Sequence, residues 1–418
     1  MTRPPSIPAD ATETEMTYGS NPEADSSPSN KGPLLSHAGA SNKGLWTVLF
    51  RVLLCAALAI AFTAVQVYQS FHYGRLALPI TYDDISYFVD AQWRLEHIYE
   101  HGLLEFAKDY IRTPPHSPVS TMLALIGFAL FGFEDWAPAA MNGLIVFGLL
   151  LFLQYRLWDL SLSVWLVLSA YALTWPLMGH AVVEFRPDIL TALATACAVV
   201  LIAGGPWINS GASHHYLAGF CMGLALLAKP SISPVTFLVI IVAMLAGAWT
   251  ETRVSAAFEK RDLIVRSWKR CLLTAAALAA PHYLLGWQHI LSYIHMNVFG
   301  KYASSWQYQA GVRQQFSYYL TGPGGQVMMG RWLGLWAVTL AAAAVVAARV
   351  GDKRIWHHAG AIAVVGLTAY ALVSSPTVKS PFLGVILAAL LLLTSIELQA
   401  YLTRTTRTVS ASGRFRVI

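Results

Sequence analysis

Charge is what this sequence has least of. Asp, Glu, Lys and Arg supply 12% of its 418 residues, against about 25% in an ordinary soluble domain. That shortage excludes a water-soluble globular fold. The apolar share is 56%, the mean hydropathy is +0.51, and many apolar runs approach the ~20 residues that cross a bilayer. The composition predicts an all-α polytopic membrane protein. Cysteine is scarce as well. Cys55, Cys197, Cys221 and Cys271 fall in or beside apolar runs without metal-ligand spacing. They are expected as small buried hydrophobes, not as a disulfide framework.

Other absences narrow the function. The net charge is +6, yet the basic residues are dispersed and form no basic-aromatic surface, so no nucleic-acid partner is expected. "TGPGG", 321–325, lacks the Lys-Ser/Thr ending of a P-loop, which argues against nucleotide binding there. His116 has no second His at ligand spacing. The first apolar run begins only near Leu45, so a cleaved signal peptide is not expected and the run should stay as an anchor.

What is present is an ordered series of apolar runs. Spans are expected at 46–71, 137–155, 160–178, 188–205, 214–228, 231–250, 270–288, 331–349, 355–374 and 381–402. Residues 1–44, rich in Ser, Pro, Asn, Ala and Gly, read as a disordered cytoplasmic tail, and 403–418 as a basic cytoplasmic tail. Placing the apolar segment 117–133 along the outer membrane surface leaves ten spans. The loop 251–270 and most Lys and Arg then fall on the cytoplasmic side, as the positive-inside rule requires. Two large segments face outward, 72–136 and 289–330.

Those outer segments collect charge at span ends, where it usually has a reason. "TYDDISYF", 81–88, sets Asp83 beside Asp84. One carboxylate can cap a helix over 84–100. Two adjacent carboxylates also repel, so one can have a raised pKa and act as a base or hold a divalent cation. On that helix Ile85, Phe88, Val89 and Trp93 share a face, with Asp90, Arg94 and Glu100 elsewhere. "TPPHSP", 113–118, ends the helical stretch, because Pro114, Pro115 and Pro118 cannot continue it. Lys379 and Arg331 can serve as snorkelling anchors. Asp188 can cap the span that follows it, and Arg186 can pair with Glu184 or Asp188.

"YDDISYFVDAQ" resembles the first-loop acidic motif of GT-C-fold glycosyltransferases that use polyprenyl-phosphate sugars, the group of protein O-mannosyltransferases and lipid A aminoarabinose transferases. Four further segments match in order. They are "RTPPHSPVSTMLALIGFALFGFEDWAPAAMNGL", "EFRPDILTALA", "GFCMGLALLAKPSISPV" and "SSPTVKSPFLGVILAAL". The resemblance covers about 45–400. It implies a GT-C-like fold of about ten transmembrane helices, with membrane-lying helices in the first extracytoplasmic loop. It implies transfer of a sugar from a polyprenyl-phosphate donor to an extracytoplasmic glycan, lipid or protein acceptor, in a membrane expected to be a bacterial inner membrane.

Carried over by position, Asp83 is the catalytic carboxylate and Asp84 the second acidic residue. Arg186 and Asp188 take the "RPD" positions and, with Glu184 and His116, contact substrate. Lys379 takes the late basic position on the donor phosphate, with Arg313, Arg331 and Arg112 as further candidates. Mg or Mn is the cofactor to consider, on Asp83 and Asp84. Two departures stand out: Thr113 where the group often has a basic residue before Pro-Pro, and no large C-terminal soluble domain. Two rival classes remain. One is a transporter or flippase, which would place charges at mid-span within repeated halves. The other is a non-catalytic scaffold that binds lipid-linked precursors.

Overall fold

The computed structural model describes residues 42–79, 83–208, 210–254, 261–306, 312–322, 327–374 and 381–411. The regular structure of these residues is all helical, with no strand among them. Among the described residues six helices are long and apolar enough to cross a membrane: Leu45–Tyr73, Ala137–Arg156, Pro230–Arg253, Trp332–Val350, Ile355–Ser374 and Gly384–Val409. The pair Leu162–Leu173 and Pro176–Val183 makes a seventh if its 67° bend is one broken span. The bend falls at Pro176, whose ring cannot continue the preceding helix but suits a first turn. The chain is an all-α integral membrane protein. All four cysteines are free and buried, as their sequence context predicts.

Three expected spans fall short of that length and apolarity. Segments 188–205 and 214–228 form helices α9 (Pro187–Ala203) and α10 (Ala212–Ala228), of 17 residues each. At 1.5 Å per residue each reaches only about 26 Å. Segment 270–288 lies inside α12 (Arg261–Val298), a 38-residue helix with charged residues in its first turns and Pro281 within it. The last helix, Pro381–Ala411, runs beyond 402. The tail 1–41 lies outside the described residues.

α9 is the centre of the fold. Every residue from Pro187 to Ala203 is buried, against α10, α11 (Ser233–Val254), Ile355–Ser374 and Pro381–Ala411. Its hydroxyls are satisfied within the helix: Thr191 donates to the Pro187 carbonyl at 2.9 Å and Thr195 to that of Thr191 at 2.7 Å. Lipid is as apolar as a leucine side chain, so close packing, not water exclusion, holds such a helix. Glycines provide the closeness. A Cβ on Gly247 of α11 would lie 2.5 Å from the Ile202 carbonyl oxygen. On α10, Gly219 and Gly223 face Cys271 and Ala275 of α12, one turn apart on each helix.

The first outer segment folds into short helices. These are α2 (Asp83–His101), α3 (Leu103–Arg112) and α4 (Pro118–Phe131), with a non-helical break at 113–117 where the prolines predict it. α4 has 14 residues, about 21 Å, too short to span. It packs on α2 through Phe88 and Phe128, whose rings meet edge to face at 5.6 Å. Ser117 just before it donates to the Ala228 carbonyl at 2.6 Å, tying it to α10.

The faces of α2 differ from the sequence expectation. Phe88 is buried with Asp84, Tyr87, Ala91, Arg94 and Leu95, whereas Ile85, Val89 and Trp93 are exposed. The helix has two apolar stripes, and tertiary packing uses the one containing the smaller Ala91. The other suits a lipid-facing surface.

The glycine contacts generate a prediction. Gly219→Ala sets its Cβ 2.4 Å from the Cys271 carbonyl oxygen and 2.7 Å from Thr274 Cβ. It should lower stability by about 1–3 kcal/mol. Gly148→Ala meets nothing within 4 Å and should be neutral or gain up to about 1 kcal/mol. Thermal unfolding of the purified variants in detergent distinguishes the two.

Candidate functional site

Helix α1 (Asn42–Tyr73) ends at a tight turn. The Gly74 amide donates to the Ser70 carbonyl at 3.0 Å, and the Ser70 hydroxyl accepts from the Leu76 amide at 3.2 Å. These bonds fold Arg75–Ala77 into one 3-10 turn and direct Arg75 toward the start of α2. Its guanidinium there donates to, and ion-pairs with, the Asp84 carboxylate.

The Glu184–Arg186 segment, just before α9, closes round the same carboxylate. Arg75 Nη1 stands 3.9 Å from Glu184 Oε1, and Arg186 Nε stands 3.8 Å from Glu184 Oε2. His180, one turn earlier, reaches Glu184 Oε1 through Nδ1 at 3.0 Å. Between Glu184 and Arg186, Phe185 is buried with its ring against Phe88 at 5.2 Å. That contact pins the segment to α2, so its two charged neighbours flank Asp84. At the start of the buried helix, in its first turn, Asp188 pairs with Lys229 Nζ at 2.7 Å.

The cluster alternates in sign: Asp84, Arg75, Glu184, Arg186. Burial pushes the Asp84 carboxyl up to about 6, against the lowering pull of Arg75, Arg186 and the Phe185 amide. Burial acts on Glu184 the same way. There the His180 hydrogen bond and the charges of His180, Arg75 and Arg186 prevail, and its carboxyl sits below the usual range. Two neighbouring carboxyls thus have their proton affinities driven apart, the arrangement acid-base sites use.

An apolar cavity of about 720 Å³ opens beside this end of α1. Its walls include Ile60, Val67, Phe71, His72, Trp136 and Phe147, from α1 and the 137–156 span. Its lining reaches His72, three residues before Arg75 in the chain.

The structure joins some of the expected residues and separates others. Asp84, Glu184 and Arg186 meet, and Arg186 approaches Glu184 as one of its expected pairings. Asp188 opens α9 but spends its carboxylate on Lys229. The Asp83 side chain, Lys379 and the "TGPGG" prolyl-glycyl residues 323–325 lie outside the described residues. His116 is exposed and lines a separate small cavity. Arg112, Arg313 and Arg331 are exposed, and among the described residues no hydrogen bond or ion pair joins them to the cluster. Asp84 does not cap α2; its carboxylate turns to Arg75. Facing two guanidiniums, it is a poor cation ligand, and no group of three or more His, Cys, Asp or Glu among the described residues is placed to hold a metal.

Arg75 and His180 were not anticipated. The signal for Arg75 was the Gly74 turn after the first span; for His180 it was the four-residue spacing to Glu184. Comparison with protein-family models, with curated proteins and with solved structures finds no match for this chain.

The raised Asp84 carboxyl sets a pH dependence. Its folded value, about 6, exceeds the ordinary 3.8, so the folded state holds this proton more tightly than the unfolded chain. The group's contribution to stability therefore falls as pH rises from about 4 to about 6. Isotope-edited infrared titration should show one aspartate carboxyl titrating near 6. It should vanish in Asp84→Asn and move upward in Arg75→Met, which removes the largest lowering charge.

Proposed function

We propose that this chain is a GT-C-type glycosyltransferase that moves a sugar from a polyprenyl-phosphate donor to an extracytoplasmic glycan, lipid or protein acceptor. The observation that carries the reading is the juxtaposition of the Asp84–Arg75–Glu184–Arg186 cluster with the apolar groove at the end of α1. A lipid-linked sugar needs both: a channel for the isoprenoid chain, and charged groups where the phosphate emerges from it. The ordered sequence motifs support the same reading.

In this proposal the acceptor hydroxyl attacks the anomeric carbon, the bond to the phosphate oxygen breaks, and polyprenyl phosphate leaves as an anion. The acceptor proton passes to a carboxylate. A single displacement of this kind inverts the anomeric centre. Asp83 takes the role of base, because Asp84 is buried and engaged by Arg75. Asp84 is then a positioning residue that holds the start of α2 against the phosphate-binding side. Arg75 and Arg186 join Lys379 as the cations proposed for the leaving phosphate, where fixed positive charge is worth most; the exposed Arg112, Arg313 and Arg331 are not tied to the cluster. A Mg or Mn ion would add charge at the same phosphate, with Asp83 as a candidate ligand.

Ten spans belong to the proposal too. The antiparallel run of α9 and α10 supports it. Lys229 meets Asp188 at one end of α9 and α10, while His214 Nε2 lies 2.9 Å from the Leu201 carbonyl at the other. The cluster would face outward, from a bacterial inner membrane. One observation favours a transporter: the buried Arg156–Glu397 pair, at 2.6 and 3.0 Å. Arg156 also donates to the Gly204 carbonyl, so the pair serves as a tie at the end of α9.

Asp83→Asn should cut glycosyl transfer by about 10²–10⁴-fold while folding and donor binding persist; wild-type turnover would remove Asp83 from the mechanism. Lys379→Ala should weaken donor affinity in nanodiscs. Cysteine labelling at position 135 from outside only, and at 260 from inside only, is the outcome that the ten-span topology requires.

A further inference from the structure

A second polar site lies on α2 away from the charge cluster. It is a cavity of about 220 Å³ walled by Asp90, Trp93, Arg94, Thr113, His116 and Thr121. Six residues separate Asp90 from Asp84, about 9 Å along the helix.

The cavity is built around a buried cation. Arg94 is 3% exposed, an unusual position for a side chain that rarely leaves water unpaired. Its Nε donates to Asp90 Oδ1 at 2.9 Å and one terminal nitrogen to the Thr113 carbonyl at 2.6 Å. The other terminal nitrogen, Nη1, is buried without a partner, so the guanidinium keeps one unused donor at a cost in free energy. Thr121 donates to Asp90 Oδ2 at 3.0 Å, so the carboxylate is fixed while keeping free lone pairs and partial exposure. Trp93 is 45% exposed and stacks on His97 at 5.6 Å and 20°, which holds the indole in place. His116 is set against the Tyr293 ring at 4.4 Å.

The chemistry of this wall selects its ligand. Asp90 and Arg94 cancel in charge, so a free anion gains from one what it loses to the other. A hydroxyl both donates and accepts and can satisfy the carboxylate and the guanidinium together. A fixed indole beside the polar groups suits the C–H face of a sugar ring. We propose that this cavity is a carbohydrate subsite that takes one uncharged monosaccharide unit, and that it seats the terminal sugar of a glycan acceptor. Its role as acceptor site rests on the glycosyl-transfer reading; the binding of a sugar does not.

Saturation-transfer NMR on the full chain in nanodiscs, with a panel of methyl glycosides as probes, tests it. At least one glycoside should receive saturation. Asp90→Asn and Trp93→Ala should each weaken that binding about tenfold or more, the loss of roughly one good hydrogen bond or stacking contact. Trp93→Phe, which keeps an aromatic face, should retain most of it. Farnesyl phosphate, a short-chain probe of the donor groove, should bind all three variants as it binds wild type. No glycoside signal in wild type, a signal undiminished in both disruptive variants, or displacement by inorganic phosphate or a Ser/Thr peptide would overturn the subsite. Glycoside binding without farnesyl phosphate binding would instead leave the subsite standing and remove the donor reading.

Discussion

Helix α9 has no exposed residue, and both of its ends need partners that neither water nor lipid supplies. A buried helix terminus leaves backbone groups unpaired, and a buried charge left alone is more costly still. At the N-terminal end Asp188 is answered by Lys229. At the C-terminal end the Gly204 carbonyl accepts from Arg156, itself neutralised by Glu397. Each answer comes from a different helix, so satisfying α9 fixes where α10, the 137–156 span and the last helix stand. The glycines follow from the same constraint, because helices that close cannot carry a Cβ at the crossing.

The charge cluster inherits its rigidity from that end of α9. Glu184 and Arg186 have little freedom, because the residue between them is wedged against Phe88 and the residue after them opens the buried helix. Arg75 comes from the other direction, held by a turn that uses backbone and a serine rather than a long flexible loop. Functional groups supported by packed elements hold their geometry better than groups on free loops. The raised Asp84 carboxyl is the residue of this competition: burial raises it, and two fixed guanidiniums restrain the rise without abolishing it.

α2 does three tasks with three faces. One stripe packs on α4 and Phe185, one is left apolar and exposed, and the flank between them carries Asp90 and Arg94. A helix packed on one face only can do this, because its other faces stay open to different surroundings. The charge cluster and the Asp90–Arg94 cavity are therefore held in register by one rigid rod.

The amino-acid sequence by itself determined the membrane class, the all-helical build, the proline break at 113–117, the buried cysteines and the approach of Arg186 to Glu184. These follow from composition, periodicity and local chain chemistry, which any stretch of the sequence carries within itself. Three things only the tertiary structure decided. It chose which apolar stripe of α2 turns inward, since both stripes obey the same helical period. It brought Arg75 and His180 into the cluster and spent Asp188 on Lys229, 41 positions away. It buried Arg94, which the helical period sets off the apolar face. Where the partner is distant in sequence, as Lys229 is from Asp188 and Glu184 from Arg75, the free energy of burying a charge depends on that partner rather than on the residue itself.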